Sequence, residues 1–202
     1  MSPRVHFAMT LLLSSLGVCA SLSCGGAADT GCNGHLELCE RPYDQVAYAT
    51  THNAHASTAD GFSPPNHTEG LTQQLEDGIR GFMLDTYYDD RFGGAPTLCH
   101  GACVFGRRPL VDGLRELNDF LDAHPGEVIT IIFESYINAE DTLGSFEESG
   151  LLARTYAHTR GEPWPTLGEL VAADTRVVVF TDSDGDTYDW YMDVWEHAWE
   201  TH

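Results

Sequence analysis

Two nearly uninterrupted apolar segments constrain the fold of this sequence more than any other feature. They are Val128–Glu134 and Arg176–Thr181. A strand that is apolar on both faces is covered on both sides, which is typical of parallel sheets flanked by helices. The segment before the first of them, Leu110–Ala123, has leucines at helical spacing and ends at His124-Pro125-Gly126, as an amphipathic helix does. The sequence therefore predicts an α/β fold.

Strands and helices alternate along the whole chain. We predict strands at Val46–Thr51, Ile79–Thr86, Thr97–His100, Val128–Glu134 and Arg176–Thr181, and helices at Leu71–Gly78, Leu110–Ala123 and Leu167–Ala173. This alternation predicts a parallel sheet with right-handed crossovers, of which a TIM-like (β/α) barrel is the closed form. A closed barrel needs eight strands and about 250 residues. We therefore expect an incomplete barrel of about five parallel strands, with the C-terminal part missing from this sequence.

The N-terminus has the pattern of an export signal. Arg4 precedes the apolar run Phe7–Val18, and small residues follow it. This run is shorter than the roughly 20 apolar residues that span a bilayer. We assign residues 1–24 to a signal, 25–41 to a linker and 42–202 to one domain. The domain is expected outside the cytoplasm, as a secreted protein or one anchored by a lipid on Cys24. Ser21-Leu22-Ser23 matches a lipid-attachment motif poorly, which favours secretion.

Cysteine usage agrees with export, because disulfides persist in oxidising compartments. Local pairing gives Cys32–Cys39 and Cys99–Cys103 as the simplest arrangement and leaves Cys24 over.

The charge excludes several functions. The formal net charge is -21 and the sequence contains no lysine. Such a field repels nucleic acid and anionic membrane surfaces, and the lack of lysine excludes Walker-type phosphate loops and Schiff-base chemistry. Any phosphate-handling site must rely on Arg, His, backbone amides or a metal ion.

Polar side chains stand where the predicted strands end. They are His52-Asn53, Asp85, His100, Glu134 and Asp182. Barrel enzymes place their active sites at the carboxyl ends of the strands, so these residues form the predicted site. By contrast, we expect His55, His67, His158 and His197, which belong to no motif, to be exposed to solvent.

Five motifs in order resemble the X region of phosphatidylinositol-specific phospholipases C and cover about residues 42–182. They are Thr51-His52-Asn53-Ala54, Gln74-Leu75-Glu76-Asp77-Gly78-Ile79-Arg80, Leu84-Asp85, Leu98-Cys99-His100-Gly101, and Phe120-Leu121-Asp122-Ala123-His124-Pro125-Gly126-Glu127-Val128.

The resemblance implies two-histidine acid/base chemistry on a phosphodiester. His52 corresponds to the histidine beside the attacking hydroxyl, and His100 to the one that protonates the leaving diacylglycerol oxygen. Two histidines near neutral pH can fill both roles.

The resemblance also implies a metal. Metal-free members carry an Arg at the position of Asp85, whereas calcium-dependent members surround a hard cation with oxygen ligands. Asn53, Asp85 and Glu134 match such ligands, with Ca²⁺ favoured over Mg²⁺. One ligand departs from that pattern, because Met83 stands where the calcium-dependent members have Glu. Asp182 is a candidate substrate contact, with a loop cap as its alternative.

The implied substrate is a phospholipid, phosphatidylinositol-like, or a soluble phosphodiester. We expect a monomer with peripheral membrane contact at most and no nucleic-acid partner. Two other functions stay open. The first is a glycerophosphodiesterase or sphingomyelinase D-like activity, against which Met83 counts. The second is an inactive barrel used for binding, against which the intact His52 and His100 count. Asp85 and Glu134 have a structural alternative as ion-pair partners of Arg80 or Arg107.

Overall fold

A computed structural model describes residues 31–198. The expected signal, Cys24 and the first part of the predicted linker lie outside the described residues. One mixed sheet contains seven strands, in the spatial order β4-β3-β2-β5-β6-β7, and β1 also pairs with β2. The strands are β1 Thr50–Thr51, β2 Gly81–Asp89, β3 Ala95–Leu98, β4 Arg108–Pro109, β5 Ile129–Ser135, β6 Val177–Thr181 and β7 Tyr191–Asp193.

Five helices accompany the sheet within residues 31–198. They are α1 Leu71–Glu76, α2 Leu110–Ala123, α3 Ala139–Ser149, α4 Leu167–Ala173 and α5 Val194–His197. Among these described helices, none combines the length and the apolar character needed to cross a bilayer.

The parallel strands confirm the predicted fold class. β1, β2, β5, β6 and β7 are parallel and follow one another in chain order, and the sheet formed by residues 31–198 does not close on itself. The fold is therefore a TIM-barrel-like α/β sheet in an incomplete barrel. The sequence analysis did not predict β7, the two-residue β4 or α3.

One predicted strand was wrong in direction. The segment predicted as the parallel strand Thr97–His100 forms β3, which is antiparallel to β2. A short turn at Asp90–Phe92 is followed by Gly93 and Gly94, whose φ angles are 69° and 79°. Glycine adopts positive φ without steric cost, so this turn closes a hairpin instead of a crossover.

The apolar strands are buried on both faces, as their sequences predict. In β5, Ile129, Ile131 and Phe133 face a core formed with the helices α1 to α3, and Ile132 packs on a second cluster. That second cluster includes Tyr43, Leu167 and Phe180. Tyr43 hydrogen-bonds through its hydroxyl to Thr130 Oγ1 at 2.6 Å, which ties the N-terminal segment to the second face.

Residues 32–41, which fall within the segment 25–41 assigned to a linker, pack against the domain. The predicted disulfide Cys32–Cys39 forms, and Cys32 is buried in the second cluster. The Asn33 side chain accepts a hydrogen bond from the Val128 N–H at 2.7 Å. Because the disulfide closes a short loop, this segment can cover the end of β5.

Candidate active site

Three carboxylates lie side by side at the carboxyl ends of neighbouring parallel strands. Asp85 of β2 pairs in register with Glu134 of β5. Asp182 follows Thr181, which pairs with Phe133, so Asp182 lies level with Glu134. Side chains at one level of adjacent parallel strands point to the same face. Asp85, Glu134 and Asp182 therefore form a carboxylate row on one face of the sheet.

A tight approach of β1 to β2 brings the loop that contains His52 to this row. Gly81 pairs with Thr50, and a Cβ at Gly81 would lie 2.2 Å from Thr50 Oγ1. Only glycine fits at that position. Thr51 and His52 follow at the strand end.

Gln74 holds the same loop from below. Its Oε1 accepts a hydrogen bond from Thr51 Oγ1 at 2.7 Å. Its Nε2 donates to the carbonyls of Ala54 and Glu69, each at 2.8 Å. The glutamine of the second motif is therefore a positioning residue for the His52 loop.

Asn53 connects the histidine and carboxylate parts of the site. It is buried and has a φ of 52°, a left-handed conformation that Asn adopts more readily than most residues. Its carboxamide lies between His100 Nε2, at 3.0 Å, and the Asp85 oxygens, at 2.9 and 3.2 Å. In one orientation the amide nitrogen donates to Asp85 and the oxygen accepts from His100. In the other, the oxygen faces the Asp85 carboxylate.

His100 reaches the site because β3 runs antiparallel. The hairpin returns the chain from Asp89 to the level of Asp85, where the Cys99 N–H donates to the Asp85 carbonyl at 3.3 Å. The predicted disulfide Cys99–Cys103 forms on the far side of His100. The His100 side chain is exposed, which suits a group that exchanges protons with a bound substrate.

His52 is exposed at the same end of the sheet, directly before Asn53. Its side chain makes no hydrogen bond within residues 31–198, but its backbone carbonyl lies 2.7 Å from His67 Nε2. Like His158 and His197, His67 is partly buried, and so it departs from the predicted exposure to solvent. It ties the following loop, residues 56–68, to the backbone of His52.

The carboxylate row lacks paired cations. Burial, and then the charges of Glu134 and Asp182, raise the pKa of Asp85 to about 7. In the part of the chain that the structure describes, none of the three carboxylates forms an ion pair. Arg80 pairs with Glu127 and Arg107 with Asp89. The structural alternative for Asp85 and Glu134 is therefore not what is observed.

The residues present fit a hard cation. Asn53, Asp85 and Glu134 offer only oxygen ligands, which Ca²⁺ and Mg²⁺ prefer. In the orientation that satisfies its hydrogen bonds, the Asn53 amide nitrogen faces Asp85, so a cation here would require the amide to turn its oxygen toward Asp85. Among residues 31–198, the His, Cys, Asp and Glu side chains alone do not form a three-ligand group. A cation here would therefore depend on the Asn53 oxygen.

Asp182 and Glu134 each have one oxygen engaged. Asp182 Oδ1 accepts from the Ser135 N–H at 2.8 Å, so Asp182 does cap the end of β5. The Tyr136 hydroxyl donates to Glu134 Oε1 at 2.6 Å. Tyr136 also stacks on Tyr87, with ring centroids 4.5 Å apart. Sequence reasoning missed both tyrosines, although each lies two residues after a row carboxylate and so on the same face.

His55 was predicted to be exposed and is fully buried. Its ring lies edge-on to Phe62, with centroids 5.6 Å apart. Burial lowers the pKa of His55 to about 4, so this imidazole is neutral at physiological pH. The apolar neighbours Ala54 and Ala56 are the only sequence signal for this burial.

Comparisons with known proteins agree with the motifs. The profile of the PI-PLC X family (PI-PLC X 1) matches residues 38–202. A "PI-PLC X domain-containing protein 1" of Arthroderma benhamiae is 30% identical over 100% of this chain and 67% of that protein. An Arabidopsis thaliana protein of the same description is 32% identical over 75% of this chain. This chain spans only 40% of the Arabidopsis protein. An "Uncharacterized secreted protein" of Arthroderma benhamiae is 26% identical over 84% of this chain and 40% of that protein.

Solved structures agree on the fold. A phosphatidylinositol-specific phospholipase C of S. aureus has a TM-score of 0.54 at 15% identity, over 79% of this chain and 56% of that one. PLC21 of S. officinalis has a TM-score of 0.54 at 16% identity, over 74% of this chain and 19% of that one. These identities support the shared fold alone, whereas the profile covers most of this sequence. The chain belongs to the PI-PLC X family.

Proposed function

We propose that this protein is an exported phosphoric diester hydrolase of the phospholipase C type. The observation that carries the proposal is the buried Asn53 carboxamide, which joins His100 to Asp85 beside the exposed His52. A purely structural network gains nothing by linking an exposed histidine to a buried carboxylate that lacks a cation. An acid/base pair next to a site for a charged phosphate needs this arrangement.

The two histidines would move the protons. His52 accepts the proton of the attacking hydroxyl as its oxygen bonds to phosphorus. His100 donates a proton to the leaving oxygen as the second phosphorus–oxygen bond breaks. The attacking oxygen belongs to water or to a neighbouring hydroxyl of the substrate. Both histidines are exposed, so water can restore their starting protonation states between turnovers.

The negative charge of the carboxylate row favours binding of a cation. Without one, each carboxylate would repel the phosphodiester by about 4 kcal/mol at 4 Å and an effective dielectric constant of 20. Asn53, Asp85 and Glu134 would hold a divalent ion, Ca²⁺ in preference to Mg²⁺. When bound, that ion would neutralise charge on the phosphate. Tyr136 would orient Glu134 through its hydrogen bond.

Export is part of the proposal. The two disulfides and the relative named as a secreted protein support an oxidising compartment. The substrate would be a phospholipid reached by peripheral membrane contact, or a soluble phosphodiester, and the protein would act as a monomer.

The test is product analysis by phosphorus NMR. The Ca²⁺-loaded protein is incubated with inositol, choline and ethanolamine phosphodiesters, each as a lipid and as its soluble glycerol ester. We expect a phosphorylated headgroup, or its cyclic phosphate if a neighbouring hydroxyl attacks. Release of the free headgroup alcohol instead would indicate a D-type cleavage. No hydrolysis of any diester by the folded protein would refute the proposed function.

A further inference from the structure

A cavity of about 350 Å³ adjoins the carboxylate row. Its walls are Met83, Ile132, Val194 and Trp195, and its polar lining comes from Glu134 and Asp182. Met83 and Ile132 pair in register one level below Asp85 and Glu134. The cavity therefore combines apolar walls with two carboxylates next to the proposed phosphate site.

Both lining carboxylates have unused acceptor capacity. Glu134 Oε1 accepts from Tyr136 and Asp182 Oδ1 from the Ser135 N–H. Within residues 31–198, the second oxygen of each makes no hydrogen bond, and neither residue forms an ion pair. Because the proposed divalent ion would take the second oxygen of Glu134, Asp182 is the carboxylate left for a cationic group in this cavity, and no described basic side chain neutralises it.

Charge balance favours a cationic substrate group even after a metal has bound. The three carboxylates of the row, one divalent ion and one phosphodiester leave two net negative charges. The sequence contains no lysine and its formal net charge is -21, so the surroundings do not offset this excess. A positive group on the substrate would.

The apolar walls of the cavity favour one kind of cationic group. A carboxylate oxygen can accept from one or two inositol hydroxyls, but the side chains of Met83, Ile132 and Val194 offer no partner for the others. A quaternary ammonium presents methyl groups to apolar walls and its charge to carboxylates and an aromatic face. Trp195 supplies such a face, because it lines the cavity and the residue is 63% exposed.

We propose that this cavity receives the quaternary ammonium group of a choline phosphodiester. The substrate class is then a zwitterionic phosphocholine ester, in place of an inositol lipid. This assignment rests on the proposed function for the position of the phosphate. Phosphatidylcholine and soluble glycerophosphocholine share the recognised chemistry.

Equilibrium binding tests the cavity without relying on turnover. The probes are glycerophosphocholine and its neutral isostere, in which carbon replaces the ammonium nitrogen (a 3,3-dimethylbutyl ester). Calorimetric titrations into the Ca²⁺-loaded His100→Ala variant, in which hydrolysis is blocked, should show about tenfold tighter binding of the cationic probe. Equal affinities, or no binding of either probe, would overturn the proposal.

Single substitutions test which side chains of the cavity recognise the cationic probe. Asp182→Asn keeps an acceptor for the Ser135 N–H and removes the charge, and Trp195→Leu keeps apolar volume and removes the ring. Each should lower the preference for the cationic probe about threefold or more. Trp195→Phe should retain part of it. Phe105→Leu is the control, because Phe105 is 58% exposed and does not line this cavity. A preference that survives both Asp182→Asn and Trp195→Leu would overturn the assignment.

Assays of hydrolysis distinguish a failure of this inference from a failure of the proposed function. Wild-type protein is given both soluble diesters and vesicles of phosphatidylcholine. Preferential binding without hydrolysis of any diester would refute the enzyme and keep the cavity assignment. Hydrolysis with equal rates and equal affinities for the two soluble diesters would refute the cavity assignment and keep the enzyme. Faster hydrolysis of vesicles than of glycerophosphocholine would identify the lipid as the source.

Discussion

Charged side chains occupy both ends of the parallel sheet, but in the described residues the carboxylate row at the carboxyl end has no paired cation, unlike the charges at the amino end. At the amino end, Arg80 forms an ion pair with Glu127 at 2.6 Å and donates to the carbonyls of Leu75 and Ile79. Arg176 there donates to the His124 carbonyl at 3.0 Å. At the carboxyl end, Asp85, Glu134 and Asp182 form no ion pair within residues 31–198.

The difference separates residues that hold the fold from residues that can do chemistry. Paired charges at the amino end satisfy one another and stabilise the strand ends. The carboxylate row raises the pKa of Asp85 to about 7, through burial and its acidic neighbours, and so costs stability. Such a cost is typical of functional sites. A variant at one end of the sheet that produced the effect expected at the other end would contradict this comparison.

The largest expected effect is on the rate, from a pair of matched histidines. His100→Ala should lower the turnover of a phosphodiester about a thousandfold, because it removes the proton donor, with little change in unfolding temperature. His124→Ala at the amino end removes a ring stacked on Phe120 at 4.1 Å and should change stability alone. The measurements are initial rates and thermal unfolding. A large loss of rate in His124→Ala together with an unchanged rate in His100→Ala would contradict the distinction between the two ends.

The second-largest expected effect is on stability, from loss of the ion pair between Arg80 and Glu127 at the amino end. Arg80→Met should lower the free energy of unfolding by about 3 kcal/mol, because it leaves Glu127 and two carbonyls without their partner. The rate per folded molecule should stay within about twofold of wild type. Urea denaturation and active-site titration measure the two quantities. A large rate loss in fully folded Arg80→Met would place Arg80 in the catalytic machinery.

The smallest expected effect is a pH dependence of stability in EDTA. The folded Asp85 pKa of about 7 lies above the value of about 3.9 for an unfolded Asp. Between these values the folded state holds a proton that the unfolded state releases, so the free energy of unfolding falls as pH rises from about 4 to 7. The difference between the two pKa values corresponds to about 4 kcal/mol. Solvent screening reduces this, so we expect a fall of about 2 kcal/mol that disappears in Asp85→Asn.

The comparison with Asp85→Asn is made by urea denaturation at several pH values. At pH 8 in EDTA the variant should be more stable than wild type, because it no longer buries a charge beside Glu134. An equally steep pH dependence in both proteins would show that other groups cause it.

Much of this architecture could be predicted from the sequence, because apolar periodicity reports burial directly. Val128–Glu134 and Arg176–Thr181 were identified as strands covered on both sides. The direction of β3 was missed because a short apolar segment does not encode its neighbour. The turn Asp90-Arg91-Phe92-Gly93-Gly94 carried the signal, since closely spaced glycines favour a hairpin.

The site was predictable to the extent that it follows strand ends and motifs. His52, His100, Asn53 and Asp85 were named from the sequence, and the structure places them at one end of the sheet. Tertiary contacts that no local pattern encodes were missed. The burial of His55, the hydrogen bond from Tyr136 to Glu134 and the cavity beside Trp195 all depend on which segments meet across the fold.

The central claim is that the carboxylate row serves a divalent ion in phosphodiester hydrolysis. Its most direct test is the initial rate of hydrolysis by metal-stripped protein as free Ca²⁺ is titrated back from EDTA. We predict no measurable rate in EDTA and a saturable return of activity with Ca²⁺, at higher Ca²⁺ concentrations for Asp85→Asn and Glu134→Gln. The full wild-type rate in EDTA would contradict the metal assignment and leave only the two-histidine chemistry.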